Sequence, residues 1–143
     1  MKHLTCFFPF IAAIFFSSCS SADKAIPYTV AKNYFLSNTV DVLTDTVITD
    51  QTRFNQLFGM ATTMGPDGKP TPVDFSRQFV FAVARPETSA SVDLRPEALH
   101  TKDGKLILDY LLTESGNNTF TVRPILLVVV DRTYLMPVVL RKK

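Results

Sequence analysis

The sequence predicts an α+β domain: a strongly twisted, largely antiparallel sheet, able to roll toward a barrel, with one main helix packed on it. Three stretches carry that prediction. A capped turn, Val73-Asp74-Phe75-Ser76-Arg77-Gln78, feeds Phe79 to Ala84, a run without a charge. A strand apolar on both faces belongs inside a sheet covered on both sides. Upstream, Phe54, Leu57 and Phe58 stand at i, i+3 and i+4, the spacing of one apolar helix face. Downstream of Arg85, alternating segments are separated by turn signals, of which Lys102-Asp103-Gly104-Lys105 is the strongest.

Taken from the amino terminus, the chain opens with the pattern of an export signal. Lys2 and His3 form a short basic region, Phe7 to Phe16 an apolar core, and small residues follow. That core is too short to span a bilayer as a helix. Phe16-Ser17-Ser18-Cys19 resembles a bacterial lipobox, with Phe16 where leucine is commoner and Ser18 where glycine or alanine is commoner. On this reading residues 1–18 are a lipoprotein signal peptide and Cys19 is the lipidation site and first mature residue. Cys6 then leaves with the signal, and the mature chain has no free thiol for a disulfide, a nucleophile or a metal site. The other reading is a secretory signal cut near Ser18 that leaves Cys19 as a free thiol.

Residues 19–33 are small, polar and poorly patterned, which suits a tether holding a domain off a membrane. The domain is expected over 34–143, with short strands at Tyr34 to Leu36 and within Val40 to Ile48. Thr49 or Asp50 offers an N-cap for the helix, and Gly59 a stop. Met60 to Val73 carries Gly65, Pro66, Gly68, Pro70 and Pro72, so it reads as an exposed loop. Asp74 is placed to accept from free backbone N–H groups of the Ser76 to Gln78 turn before the central strand. Beyond Arg85, Val92 and Leu94 alternate with Ser91, Asp93 and Arg95, and Pro96 ends regular pairing or marks an edge. After the Asp-Gly turn, Leu106 to Leu112 returns antiparallel. Glu114 to Asn118 turns again, Phe120 and Val122 resume the alternation, and Pro124 precedes a second interior run, Ile125 to Val130. Asp131 to Met136 turns, and Val138 to Leu140 is the last strand, with antiparallel connections expected throughout the chain after Arg85.

Composition narrows the function classes. A formal charge of +2 over 143 residues is too small for electrostatic capture of nucleic acid. Only His100 outlasts signal removal, beside Leu99 and ahead of an exposed turn, where a lone histidine reads as a surface residue rather than a base. The chain has no Gly-x-Ser-x-Gly elbow for a serine hydrolase. Gly65-Pro66-Asp67-Gly68-Lys69 lacks the spacing and following helix of a phosphate-binding loop. Asp93 and Asp109 can face each other across the hairpin as an acid pair, or stand as ordinary carboxylates paired with Arg95 or Lys105. Asp41 and Asp45 have no close histidine or cysteine with which to hold a metal. No catalytic residue, metal site or cofactor is therefore expected. Asp45-Thr46-Val47 matches a three-residue pattern that some bacteria glycosylate on threonine, short enough to arise by chance.

The series Val47-Ile48-Thr49-Asp50, the helix with Phe54, Leu57 and Phe58, and Val73-Asp74-Phe75-Ser76 followed by Phe79-Val80 resemble the carboxy-terminal domain family of the protease-complex subunit PrcB. The hairpin and Arg123-Pro124-Ile125 fit the same pattern, so the resemblance runs from about Val47 to Lys142. Where that family often has a glycine-rich stretch after the central strand, this chain reads Arg85-Pro86-Glu87-Thr88-Ser89-Ala90-Ser91. The resemblance implies a lipid-anchored accessory protein of the bacterial cell envelope, at the outer membrane, without a catalytic site. Its partner would be another envelope or secreted polypeptide, such as a protease, which it binds and can stabilise. Loops are the expected contact surface, with Glu87 and Arg95 as candidate binding residues. The alternative is an envelope module that binds a peptide or glycan through the loops at Pro86 to Ser91 and Glu114 to Asn118.

Overall fold

A computed structural model describes residues 23–41 and 43–143. The signal segment and Cys19 lie outside these residues. In chain order the elements are β1 (Lys24–Ala25), β2 (Thr29–Val30), β3 (Tyr34–Leu36), β4 (Thr46–Ile48), α1 (Gln51–Leu57), β5 (Phe58–Met60), β6 (Gln78–Ala84), β7 (Ser91–Lys102), β8 (Lys105–Ser115), β9 (Ile125–Asp131) and β10 (Val138–Lys142), with a 3₁₀ turn at Arg132–Tyr134 before β10. The fold is α+β and mostly antiparallel, with one short α-helix among the described residues. Its strands do not close into a barrel. They form two four-stranded sheets, β1-β7-β8-β10 and β2-β9-β6-β4, and a two-stranded ribbon, β3-β5.

The charge-free run of β6 lies where its composition requires, between β9 and β4 inside the second sheet. Alternation then sorts its side chains into two cores. Phe79, Phe81 and Val83, with Leu126, Val128 and Val130 of β9, face the other sheet and meet Leu99, Leu106, Leu108 and Tyr110. Val80, Ala82 and Ala84, with Leu127 and Val129, face the opposite way and meet Ile48, Phe54, Leu57, Phe58 and Phe75. The small Ala82 and Ala84 stand on the side that receives bulky aromatics. There Phe54 packs 5.2 Å from Tyr34 and 5.4 Å from both Phe58 and Phe75, centroid to centroid. The architecture is thus sheet on sheet on a thin layer of helix and ribbon. Val80, Val83, Leu127 and Val129 are all buried, as the two apolar runs imply.

Local signals account for most element ends. Asp50 caps α1, its carboxylate accepting from Arg53 N–H at 2.8 Å. Asp74 accepts from the backbone N–H and hydroxyl of Ser76, and its carbonyl from Arg77 and Gln78 N–H, which turns the chain into β6. Asp103 and Gly104 have φ of 51° and 71°, the positive pair that a tight hairpin turn demands.

Four expectations need correction, and one concerning Pro96 holds. The tether gives way to ordered domain from Lys24: β1 pairs with Thr101 and His100, Ile26 is 4% exposed, and β2 pairs with β9. Two-residue strands carry too little pattern to be seen in sequence. Gly59 does not stop the helix, which ends at Leu57; it stands in β5, where the Phe35 ring crosses its backbone and an added Cβ would lie 2.3 Å from that ring. Pro96 does end the regular pairing of β7 and stands on an uncovered edge, as expected. The strand runs on to Lys102 through a register shift between Pro96 and Ala98, and β1 covers only Thr101 and His100, so Pro96 faces no neighbour on that side. Phe120 and Val122 form no strand beyond an isolated bridge from Val122 to Thr88. Lastly, β10 is parallel to β8, because β9 crosses to the second sheet and the chain returns to the first in the same direction as β8.

Candidate functional site

At one end of the sandwich, three side chains from three elements meet. Asp45 precedes β4, Arg85 follows β6, and Tyr110 comes from β8 in the other sheet. Arg85 donates to both Asp45 oxygens, at 2.6 and 3.1 Å. The Tyr110 hydroxyl donates to Asp45 Oδ2 at 2.8 Å, and the guanidinium lies 5.4 Å from the Tyr110 ring centroid. Hydrogen bonding to Asp45 holds the Arg85 proton more tightly than usual, against the opposing effect of burial. Burial first, and then Asp45, push the Tyr110 hydroxyl above its ordinary value, so at neutral pH it is a donor rather than a base. Chemically this is a clamp that ties the two sheets together. The Asp45-Thr46-Val47 pattern falls on the same place, and Thr46 is half-buried in β4 opposite Ala82.

Beyond the clamp lies a shallow depression lined by Asn38, Asp41, Pro86, Glu87 and Arg123. Arg123 reaches the carbonyls of Val40 and Asp41, the latter at 3.0 Å, and has no carboxylate within salt-bridge distance among the described residues. Its rim is built by the two loops that sequence reasoning singled out. Thr88 and Val122 exchange backbone hydrogen bonds at 2.9 Å, Asn118 N–H donates to Ser89 at 2.7 Å, and the Thr121 hydroxyl bonds the Glu87 carboxylate. Phe120 projects from this pinned frame, 61% exposed.

Glu87 therefore belongs to a loop cluster, whereas Arg95 does not. Arg95 lies within β7, opposite Leu111, and pairs with Asp93 at 3.2 Å on the exposed face. Phe120, Arg123, Asn38 and Asp41 were not singled out as site residues. For Phe120 no local signal was available, since residues 119–123 between Asn118 and Pro124 alternate and are enough for a short strand.

The acid pair does not form. Asp93 is opposite Thr113, while Asp109 is opposite Ala98 and only 4% exposed. Asp109 accepts from Arg141, not Lys105, at 2.5 and 2.8 Å, and His100 Nδ1 approaches to 3.9 Å. His100 is thus not a surface residue; its side chain is 15% exposed. The bonds from Arg141 hold the Asp109 carboxyl below the ordinary range, against burial, which acts to raise it. A depressed carboxyl stabilises the fold fully above its unfolded value, about 3.9, and loses that contribution as pH falls through the folded one. Arg141→Ala removes the largest lowering influence and leaves burial opposed only by the weaker effects of Lys143 and His100, so the variant melts several degrees lower at pH 7. The gap closes as the medium is acidified through the wild type's depressed value. Thermal melts from pH 7 to pH 3 check this; a gap independent of pH would mean that Arg141 acts only through its aliphatic stem.

No group of three or more metal-ligating side chains occurs among the described residues. No protein-family model, characterised protein or solved structure matches the chain.

Proposed function

We propose that the chain is a lipid-anchored envelope protein that binds another polypeptide, such as a component of a secreted protease complex, through the loop cluster around Phe120, and performs no chemistry itself. The observation that supports this reading is Phe120, a large apolar side chain held out on a frame of backbone hydrogen bonds beside Glu87 and Arg123. Binding energy concentrates in such anchors ringed by polar groups, and a frame already ordered costs little to immobilise. The resemblance to the PrcB carboxy-terminal domain supplies the partner class and the membrane address. A second reading, a module for a peptide or glycan, draws on the same hydrogen-bonded pair of loops.

Purification from native membranes in mild detergent, followed by identification of what accompanies the protein, separates the two. We expect a polypeptide to co-purify. Phe120→Asp, and Glu87→Lys combined with Arg123→Glu, reduce its recovery at least about tenfold. Arg95→Glu, away from the cluster, leaves recovery unchanged, as does His100→Ala, since no proton transfer is involved. A folded His100→Ala variant that keeps its complex but loses the associated phenotype would overturn the non-catalytic reading.

A further inference from the structure

We propose that two copies of this chain associate through a self-complementary surface formed by residues 60–73, distinct from the loop cluster around Phe120. The segment is a stiff loop. Thr63 N–H donates to the Gly68 carbonyl at 2.9 Å and Gly68 N–H to Gly65 at 3.2 Å, closing its tip. The Asn33 side chain donates to the carbonyls of Asp67 and Lys69 at 2.6 and 2.9 Å, and Lys32 and Thr71 exchange bonds at 3.0 and 3.2 Å. Gly68 is buried, and any Cβ there would fall 1.8 Å from the Thr63 carbonyl oxygen, so the tip is built for one shape.

On that stiff tip sits Met64, fully exposed at 104%. A flexible loop exposes apolar side chains at random, but a pinned one holds the same side chain out permanently, where an unbranched thioether adapts to whatever pocket receives it. The same segment helps to line a mainly apolar groove of Tyr34, Phe54, Met60, Pro70, Pro72 and Val73, edged by Gln51 and Lys69. Met60 is itself 67% exposed. The Thr63–Gly68 bond brings the Met64 backbone close to Lys69, which lines that groove, so knob and groove belong to one stretch of loop, an arrangement that a two-fold axis can satisfy twice over.

Charge favours a second copy as the occupant. Asp67 stands at the tip and Lys69 at the groove, both exposed and neither in an ion pair within 4.0 Å among the described residues. Seating the Met64 of each copy in the groove of the other brings each Asp67 toward the second copy's Lys69. Opposite charges meet on both sides of the axis.

The test is the mass of the full chain in density-matched mild detergent, by sedimentation equilibrium over a range of protein concentrations. The expected result is a reversible monomer–dimer equilibrium that Met64→Glu weakens at least about tenfold. Asp67→Lys and Lys69→Asp each weaken it by a similar factor, and the two together restore it to within a few-fold. All three positions are exposed, so unchanged circular dichroism and melting confirm that the variants fold. A wild type that stays monomeric throughout, or a dimer indifferent to Met64→Glu, overturns the proposal. So does a combined reversal as weak as the singles, which would assign the surface to a different polypeptide.

Discussion

Phe81→Ala lowers the unfolding free energy by about 4 kcal/mol, the largest effect expected of any single truncation in this protein. Phe81 is wholly buried in the middle of β6, between Val47 of β4 and Val128 of β9 in the ladder. Its ring meets Phe79 edge-on, with centroids 5.4 Å apart, where the two sheets face each other. Removing it forfeits the transfer of an aromatic side chain and leaves a cavity that both sheets, fixed by their ladders, can close only in part. A domain of this size has about 5 to 15 kcal/mol in all, so the variant sits near the edge of folding. Val80→Ala, Val83→Ala, Leu127→Ala and Val129→Ala cost on the order of 1 to 4 kcal/mol each. Phe120→Ala, on the surface, costs less than about 0.5 kcal/mol. Urea unfolding followed by circular dichroism gives the ranking. A loss below about 1 kcal/mol for Phe81→Ala would contradict a core formed between stacked sheets.

Cys19→Ala converts the protein from one that partitions into detergent to one that stays in water. The expectation rests on the short apolar segment Phe7 to Phe16 and on Phe16-Ser17-Ser18 before the cysteine. A single acyl chain anchors only marginally, whereas each buried CH₂ adds about 0.8 kcal/mol, so a second chain makes the attachment stable. Temperature-induced phase separation of whole cells expressing the wild type and the variant reads this directly. Retention of Cys19→Ala in the detergent phase at the wild-type level would remove the lipid anchor from the proposed function.

What the sequence by itself determined are the features encoded within a few consecutive residues. The charge-free runs at Phe79 to Ala84 and Ile125 to Val130 could only be interior strands, because no exposed ladder tolerates six apolar residues in a row. The Asp50 and Asp74 caps and the Asp103-Gly104 turn are equally local, since their donors, acceptors and positive φ angles lie within four residues of one another. The helix α1 followed from one apolar period. These features together were enough for an α+β class and for its two central strands.

Tertiary structure alone decided everything that depends on which strand lies beside which. Period-two patterning says that a strand has an inner face but not which sheet that face meets, so one twisted sheet and two stacked sheets look alike in sequence. The parallel placement of β10 came from a crossover between sheets, and with it came the pairing of Asp109 with Arg141 across a chain separation of 32 residues. Asp45, Arg85 and Tyr110 are 40 and 65 residues apart for the same reason, and no local pattern announces such a clamp. Phe120 shows the limit most plainly. Alternation marked it for a strand, yet backbone pairing from Ser89 and Thr88 held its loop open and left the ring in solvent, because a side chain's burial is settled by what the rest of the chain brings to it.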